Sequence, residues 1–330
     1  MSLDDEEQTA LMAEGLERAQ NSRRDFLQMA AAGAVTAVVA STVGCGGGDH
    51  GGGATAQGGA QAHGGASAWE GFFQQHYKRL TDEEKQALIA RLEAQALAQH
   101  GVRIDINDPA PIEGVEFGYA LNLTACTGCR RCEYACAQEN NTSHDPELHY
   151  IRVLQIPIGT LDPIRADTTY EGEVPREGHF YMPVQCHQCR NAPCVKACPV
   201  QATWQEPDGV IVVDYDWCIG CRYCEVACPY FARRFNMADP EVRPSQINPD
   251  QGLLSNRPRE KGVMEKCHFC LHKTRRGEYP ACLEVCPTGA RKFGNLLDPQ
   301  SEVRQVLATK RVYVFREEAG TVPRFYYYFD

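Results

Sequence analysis

The chain has 330 residues, 43% of them hydrophobic, and carries a formal net charge of −10. That length allows one or two domains, and the low mean hydropathy with 29 Gly and 19 Pro describes a loop-rich protein. The acidic balance, with no basic stripe interleaved with aromatics, argues against nucleic acid as a partner.

The first element is an address. Ser22-Arg23-Arg24-Asp25-Phe26-Leu27 matches the twin-arginine export signal, and an uncharged, alanine-rich apolar stretch runs from Phe26 to Val43. Such a signal implies export of an already folded protein to the periplasm or outer face of the cytoplasmic membrane. The acidic run Asp4 to Glu7 is long for the leading region of a signal. At its end, Thr42-Val43-Gly44-Cys45 resembles a lipoprotein processing site, with Thr where a leucine is usual, which makes Cys45 a candidate lipid anchor. The alternatives are cleavage nearby with Cys45 idle, or an uncleaved anchor helix, for which about 18 apolar residues are marginal against the roughly 20 of a span. In each case the chain after residue 45 lies outside, because the two arginines stay inside. Membrane association is expected on this basis.

Residues 46–68 are Gly, Ala and Gln with His50 and His63, and read as a flexible linker in which the histidines are incidental. Composition changes at Trp69, and residues 69–114 read as a helical extension. Thr81-Asp82-Glu83-Glu84 is a capping box, followed by Leu88, Leu92 and Ala96 at four-residue spacing until Gly101, an amphipathic helix to about Gln99. It would pack on the body of the protein or dock a partner.

Residues 115–330 hold short apolar segments, each read as a strand feeding a cysteine loop: Val115 to Leu121, Phe180 to Val184 and Val210 to Tyr215. Glu206-Pro207-Asp208-Gly209 reads as a hairpin turn, and Arg311 to Arg316 with Arg324 to Phe329 reads as a closing hairpin around Ala319-Gly320. No Gly-rich nucleotide loop accompanies these strands, so flavin or nicotinamide chemistry has no support.

Sixteen of the 17 cysteines fall into four groups of four. They are Cys126, Cys129, Cys132, Cys136; Cys186, Cys189, Cys194, Cys198; Cys218, Cys221, Cys224, Cys228; and Cys267, Cys270, Cys282, Cys286. The first and third read C-x2-C-x2-C-x3-C, the spacing in which three thiolates clasp one cubane iron–sulfur cluster and the fourth ligates another. The second and fourth keep the plan with one gap stretched. Pro199, Pro229 and Pro287 follow the last cysteine of three groups, fixing φ as the chain leaves, whereas the first group has Ala137 there. Disulfides would not call for four repeats of one spacing. A zinc-bound structural scaffold would use pairs of C-x2-C knuckles, unlike the triple C-x2-C-x2-C.

Other residues near these loops attract smaller expectations. His187 and His268 sit inside C-x2-C loops and are expected to hydrogen-bond or face solvent, not to ligate iron. Arg130, Arg131, Arg222, Arg233 and Arg234 would either raise cluster potentials or pair with surface acids. Trp204 and Trp217 read as core aromatics. No carboxylate pair, no nucleophile with a base and no open metal position indicates substrate chemistry, so the chain is read as no enzyme by itself.

The stretches Cys186-His187-Gln188-Cys189 to Cys198-Pro199, Asp214-Tyr215-Asp216-Trp217-Cys218-Ile219-Gly220-Cys221-Arg222-Tyr223-Cys224 to Cys228-Pro229-Tyr230, and Glu265-Lys266-Cys267-His268-Phe269-Cys270 through Pro280-Ala281-Cys282 to Cys286-Pro287-Thr288-Gly289-Ala290 resemble the four-cluster electron-transfer subunits of the dimethyl sulfoxide reductase and polysulfide reductase type. The resemblance covers roughly residues 115 to 300. It implies an α+β fold of two nested ferredoxin-like units with short strands, loop-rich, with an inner unit of about 178–238 inserted in an outer one. It also implies four [4Fe-4S] clusters with crossed ligands. One would take Cys126, Cys129, Cys132 and Cys286, and its partner Cys267, Cys270, Cys282 and Cys136. The inner pair would take Cys186, Cys189, Cys194 with Cys228, and Cys218, Cys221, Cys224 with Cys198. The implied function is an electron relay between a molybdopterin-type catalytic subunit and a membrane quinone-interacting subunit or a cytochrome. The same module serves in membrane hydrogenases and quinol-oxidising respiratory complexes, which is the alternative.

Overall fold

The computed structural model describes residues 80–330 apart from 161 and 164. The export signal, Cys45, the linker with its two histidines, and residues 69–79 of the extension lie outside the described residues.

The helix Asp82–His100 begins and ends as its sequence dictates. The Thr81 hydroxyl accepts from the Glu84 amide at 3.3 Å while the Glu84 carboxylate accepts from the Thr81 amide at 2.8 Å, and Gly101 closes the helix at φ 67°. Its anchor differs from the four-residue stripe. Ile89 is the buried side chain, packed with Ile106 and Leu253, while Leu88 and Leu92 flank it half-buried. The reason is the narrow support beneath. Asp105–Asn107 pairs only with Asp250–Gly252, in parallel, and two short strands offer room for one side chain.

A four-stranded sheet organises the rest, in the order Arg291–Asn295, Phe117–Asn122, Phe325–Tyr328, Val312–Tyr313. Its strand Phe117–Asn122 is buried at every position, as a strand covered on both faces must be. One face carries Ala120 and Tyr328 against Val303 and Val306 of the helix Glu302–Thr309. The other carries Tyr119, stacked on Phe325 at 4.9 Å between ring centroids and tilted against Phe269 and Phe293. The C-terminal hairpin thus lies beside the first strand of the cysteine region. Its strands are shorter than the expected spans, Val312–Tyr313 and Phe325–Tyr328, and they pair antiparallel.

The remaining sheets are two-stranded and antiparallel: Arg152–Pro157 with His179–Val184, Thr203–Gln205 with Ile211–Val213, and Arg233–Phe235 with Met264–Lys266. The turn at 206–209 joins the second of these pairs, with Gly209 at φ 83° and its amide donating to the Glu206 carbonyl at 2.8 Å. Such small sheets among short helices make a mixed α+β, loop-rich fold.

The four cysteine groups repeat one local plan. The third cysteine is always the second residue of a helical turn, in Arg131–Glu139, Pro193–Lys196, Tyr223–Val226 and Ala281–Glu284. In the last three groups that turn ends two residues before the fourth cysteine, a proline follows the cysteine, and a strand begins five residues past it. After Cys136, where alanine replaces proline, the helix runs on to Glu139.

Candidate metal centre

Within every C-x2-C loop the residue before the second cysteine has positive φ: Gly128 at 74°, Gln188 at 46°, Gly220 at 71° and Phe269 at 55°. That reversal makes the chain double back so that both sulfurs face one side. At Gly128 a Cβ would sit 2.2 Å from the Tyr181 ring, and at Gly220 it would sit 2.2 Å from the Gly262 carbonyl oxygen. Both positions therefore exclude a side chain by space as well as by φ.

All sixteen cysteines of the four groups are free thiols in the structure. The fold mixes the groups. Cys126, Cys129, Cys132 and Cys286 line one pocket, with Gly128, Pro287 and Arg291. Around Cys136 stand Cys267, Cys270 and Cys282, and its thiol is held well above the usual range by burial and then by their negative charge. Cys189 has Cys186, Cys194 and Cys228 for neighbours and is pushed up to about 12, mainly by burial. Cys224 faces Cys218, Cys194 and Cys198 and is pushed up to about 11, again mainly by burial. Cys221 neighbours Cys198 and Cys218. Among the described residues, no three His, Cys, Asp or Glu side chains converge so as to hold a single metal ion.

Exposure is graded across these neighbourhoods. All four cysteines around Cys136 are buried, as are all four around Cys189. The other two neighbourhoods each present one exposed cysteine, Cys129 and Cys221. Burying thiols against one another opposes their ionisation, and only a cationic group held among them reverses that cost, since ligation requires the thiolate. The donor set, four sulfurs per neighbourhood with amide and cationic partners, suits a cubane cluster.

The partners of the sulfurs are mostly ones that spacing did not single out. Asn140 Nδ2 donates toward Cys136 Sγ at 3.5 Å, Gln185 Nε2 toward Cys267 Sγ at 3.7 Å, and the Phe269 amide toward Cys267 Sγ at 3.5 Å. Arg291 is buried, and its Nη1 reaches Cys282 Sγ at 3.7 Å, the Tyr119 hydroxyl at 3.4 Å and Gln185 Oε1 at 2.9 Å. Lys266 is equally buried and its Nζ donates to the Cys267 carbonyl at 2.8 Å and to that of Ile211. A signal for Arg291 was present in the sequence. Cys228-Pro229-Tyr230-Phe231-Ala232-Arg233 and Cys286-Pro287-Thr288-Gly289-Ala290-Arg291 are one motif, each ending in an arginine five residues past the cysteine.

The five arginines singled out from the sequence divide. Arg233 is buried against Cys194, Cys224 and Cys186, and its Nη2 donates to the Thr203 hydroxyl at 2.9 Å. Arg234 is half-buried, near Cys228, and donates to the His149 carbonyl at 2.9 Å. Arg131 is exposed, Arg222 pairs with Glu225 at 2.8 Å, and Arg130 lies over the Tyr170 ring at 3.9 Å. Neither His187 nor His268 faces solvent. Both are buried, His187 Nε2 within 3.3 Å of the Tyr327 hydroxyl and His268 Nδ1 accepting from the Leu271 amide at 3.3 Å. Burial holds His187 down at about 3, hence neutral. Trp204 and Trp217 are half-buried, with indole N–H groups donating to Glu206 at 3.1 Å and to the Val200 carbonyl at 2.7 Å.

Small α+β units, four Cys-rich loops and sulfur-directed amides define an iron–sulfur electron carrier of the ferredoxin kind. Residues 178–247 and 254–296 match the 4Fe-4S dicluster domain family. A Halobacterium salinarum protein named for the iron–sulfur subunit of dimethyl sulfoxide reductase is 41% identical over 211 residues, spanning 64% of this chain and 78% of that relative. The arsenate respiratory reductase iron–sulfur subunit of a Shewanella strain is 34% identical over 64% of this chain and 96% of its own length. A polysulfide reductase polypeptide of Wolinella succinogenes is 34% identical over 64% of this chain and 93% of its own. The chain belongs to this family of iron–sulfur subunits, and its cofactors are four [4Fe-4S] clusters.

Proposed function

We propose that the chain relays electrons, as a subunit of an oxidoreductase complex, between a molybdopterin-type catalytic subunit and a membrane quinone-interacting subunit or cytochrome. One observation carries this reading. The neighbourhoods of Cys136 and Cys189 are wholly buried, while the other two each expose a single cysteine, Cys129 and Cys221. An insulated middle with two accessible ends is what a relay requires. Around Cys221 the side chains of Ile219, Tyr223, Val226 and Phe231 are exposed, an apolar rim suited to a partner subunit.

The mixed neighbourhoods support the crossed ligand sets: Cys126, Cys129, Cys132 with Cys286; Cys267, Cys270, Cys282 with Cys136; Cys186, Cys189, Cys194 with Cys228; and Cys218, Cys221, Cys224 with Cys198. They likewise support an inner unit of about 178–238 nested in an outer one. When bound, each cluster supplies a reversible one-electron site. The chain's own residues hold the sulfurs in place, exclude water from the interior sets, and aim Asn140, Gln185 and the cations at the sulfurs. Among the described residues no helix is long and apolar enough to cross a membrane. Export by the twin-arginine route, the linker at 46–68 and a lipid on Cys45 remain part of the proposal, carried by the sequence of residues 22–68.

The test is a complex assembled with and without this subunit. Without it, quinol-linked turnover disappears while the catalytic subunit still turns over with a small reducing dye. Substrate turnover by this chain alone would contradict the reading.

A further inference from the structure

Three cations are almost wholly buried among the cysteines: Arg291 and Arg233 at 2% exposure and Lys266 at 1%. Each stands among sulfurs of two different ligand sets. Arg291 bonds Cys282 and Gln185, and its charge acts on Cys132, Cys126 and Cys286 as well as on Cys136. It therefore lies between the two outer sets. Lys266 caps the Cys267 carbonyl and acts on Cys267, Cys186 and Cys194, between the second outer set and the first inner one. Arg233 has Cys194, Cys186 and Cys224 as its sulfur neighbours, the first two from one inner set and the third from the other. Other cations differ: Arg152 and Arg234 have Cys228 as their sulfur neighbour, and Lys273 has Cys270.

The sulfurs give the same order. Cys132 neighbours Cys282, Cys267 neighbours Cys186, and Cys224 neighbours Cys194. Four sets in a row have three junctions, and each junction holds one buried cation. Two of the three keep donors without a protein partner: Arg291 Nη2, and Arg233 Nε and Nη1. These N–H groups can donate to an acceptor held between the sets.

We propose that Arg291, Lys266 and Arg233 are junction cations, each positioned to set the potentials of two consecutive clusters together and to screen the repulsion between them when both are reduced. The proposal rests on the crossed ligand sets. A fixed positive charge favours the reduced, more negative form of whatever lies on either side, and in a water-poor interior the effect is not screened away. Arginine holds its charge throughout the working pH range, so Arg291 and Arg233 give the cleanest reading.

The experiment is an anaerobic redox titration of the purified complex followed by electron paramagnetic resonance, with iron counted in each sample. Arg291→Gln is expected to shift both outer clusters against reduction at least tenfold, about 59 mV for one electron, leaving the inner pair in place. Arg233→Gln is expected to do the converse. Arg291→Lys and Arg233→Lys, which keep the charge, are expected to stay close to the parent. A shift confined to one cluster, or none at full iron content, overturns the proposal. If the Gln variants lose iron, the Lys variants decide, and a fall in either potential of the pair overturns it. Failure of the ligand sets looks different: the parent protein itself would then lack four clusters, whatever its arginines do.

Discussion

Asn140 Nδ2 lies 3.5 Å from Cys136 Sγ and 3.9 Å from Cys270 Sγ, so one amide points at sulfurs from the first and the last cysteine group. The same Nδ2 also donates to the Cys136 carbonyl at 2.8 Å, where the helix ends. Cys136 and Asn140 lie on one helix, Arg131–Glu139 with Asn140 as its cap, and that helix carries both toward the last group.

Donors to thiolate sulfur stabilise the reduced state of a cluster. Asn140→Leu is expected to keep all four clusters and to lower one potential, that of the set containing Cys136 and Cys270, by about 59 mV, one tenfold step. Redox titration with spectroscopic detection reads this directly. Equal shifts in several sets would mean a general loosening instead.

Gly128 and Gly220 occupy matching places in the first and third loops, and both lack room for a methyl group. Left-handed backbone costs a non-glycine residue about 1–2 kcal/mol before any clash. Gly220→Ala meets a carbonyl oxygen, which cannot rotate away, and is expected to lose its loop's cluster, taking iron from about sixteen to about twelve per chain at four per cubane. Metal analysis of the purified variant is the check. Gly262→Ala, where a Cβ meets nothing within 4 Å, serves as the strained but unobstructed comparison.

Arg259 and Glu265 form an ion pair at 2.5 Å, both fully buried, with the Tyr150 hydroxyl donating to the same carboxylate at 2.6 Å and Asn236 donating to its other oxygen. Removing one partner strands the other charge, a loss of about 3–5 kcal/mol, whereas replacing both by apolar groups costs much less. Arg259→Met alone should therefore unfold at markedly lower denaturant than the double variant Arg259→Met with Glu265→Leu. Chemical unfolding under anaerobic conditions compares the two.

Glu116 fastens the first strand to two other segments, accepting from Arg190 Nε and Nη2 at 2.6 Å each and from Arg324 Nη1 at 3.2 Å. The Arg190 hydrogen bonds hold its carboxyl below the usual range. A carboxyl depressed in the folded state stabilises fully above its unfolded value of about 4.3 and loses that contribution as pH falls through the folded value. The stability difference between the parent and Glu116→Gln is expected to be largest near neutral pH and to vanish on acidification below the carboxylate range. A constant difference across pH would show that the charge does not matter.

The cysteine groups were legible in the sequence, and much of the frame that positions them was not. Spacing singled out the sixteen cysteines that the structure gathers into four mixed neighbourhoods, because a cubane ligand loop tolerates little variation, and Thr81 with Gly101 marked both ends of the first helix. The strand Arg152–Pro157 went unread because its partner, not its own alternation, defines it. Burial of His187 and His268 was equally invisible, since both ride on loops whose depth is set by the sheet that carries Tyr327 and Phe325. Arg291 was legible only by aligning two of the groups with each other, where the arginine recurs at one place past the last cysteine.

The crossed sharing of cysteines is the central claim, and single substitutions read by spectroscopy test it most directly. Cys136→Ser and Cys267→Ser are expected to remove or alter the same cluster signal, and Cys126→Ser and Cys286→Ser another. If Cys136→Ser instead abolished the signal lost in Cys126→Ser and left that of Cys267→Ser intact, the groups would bind as four separate loops and the nested relay would be wrong.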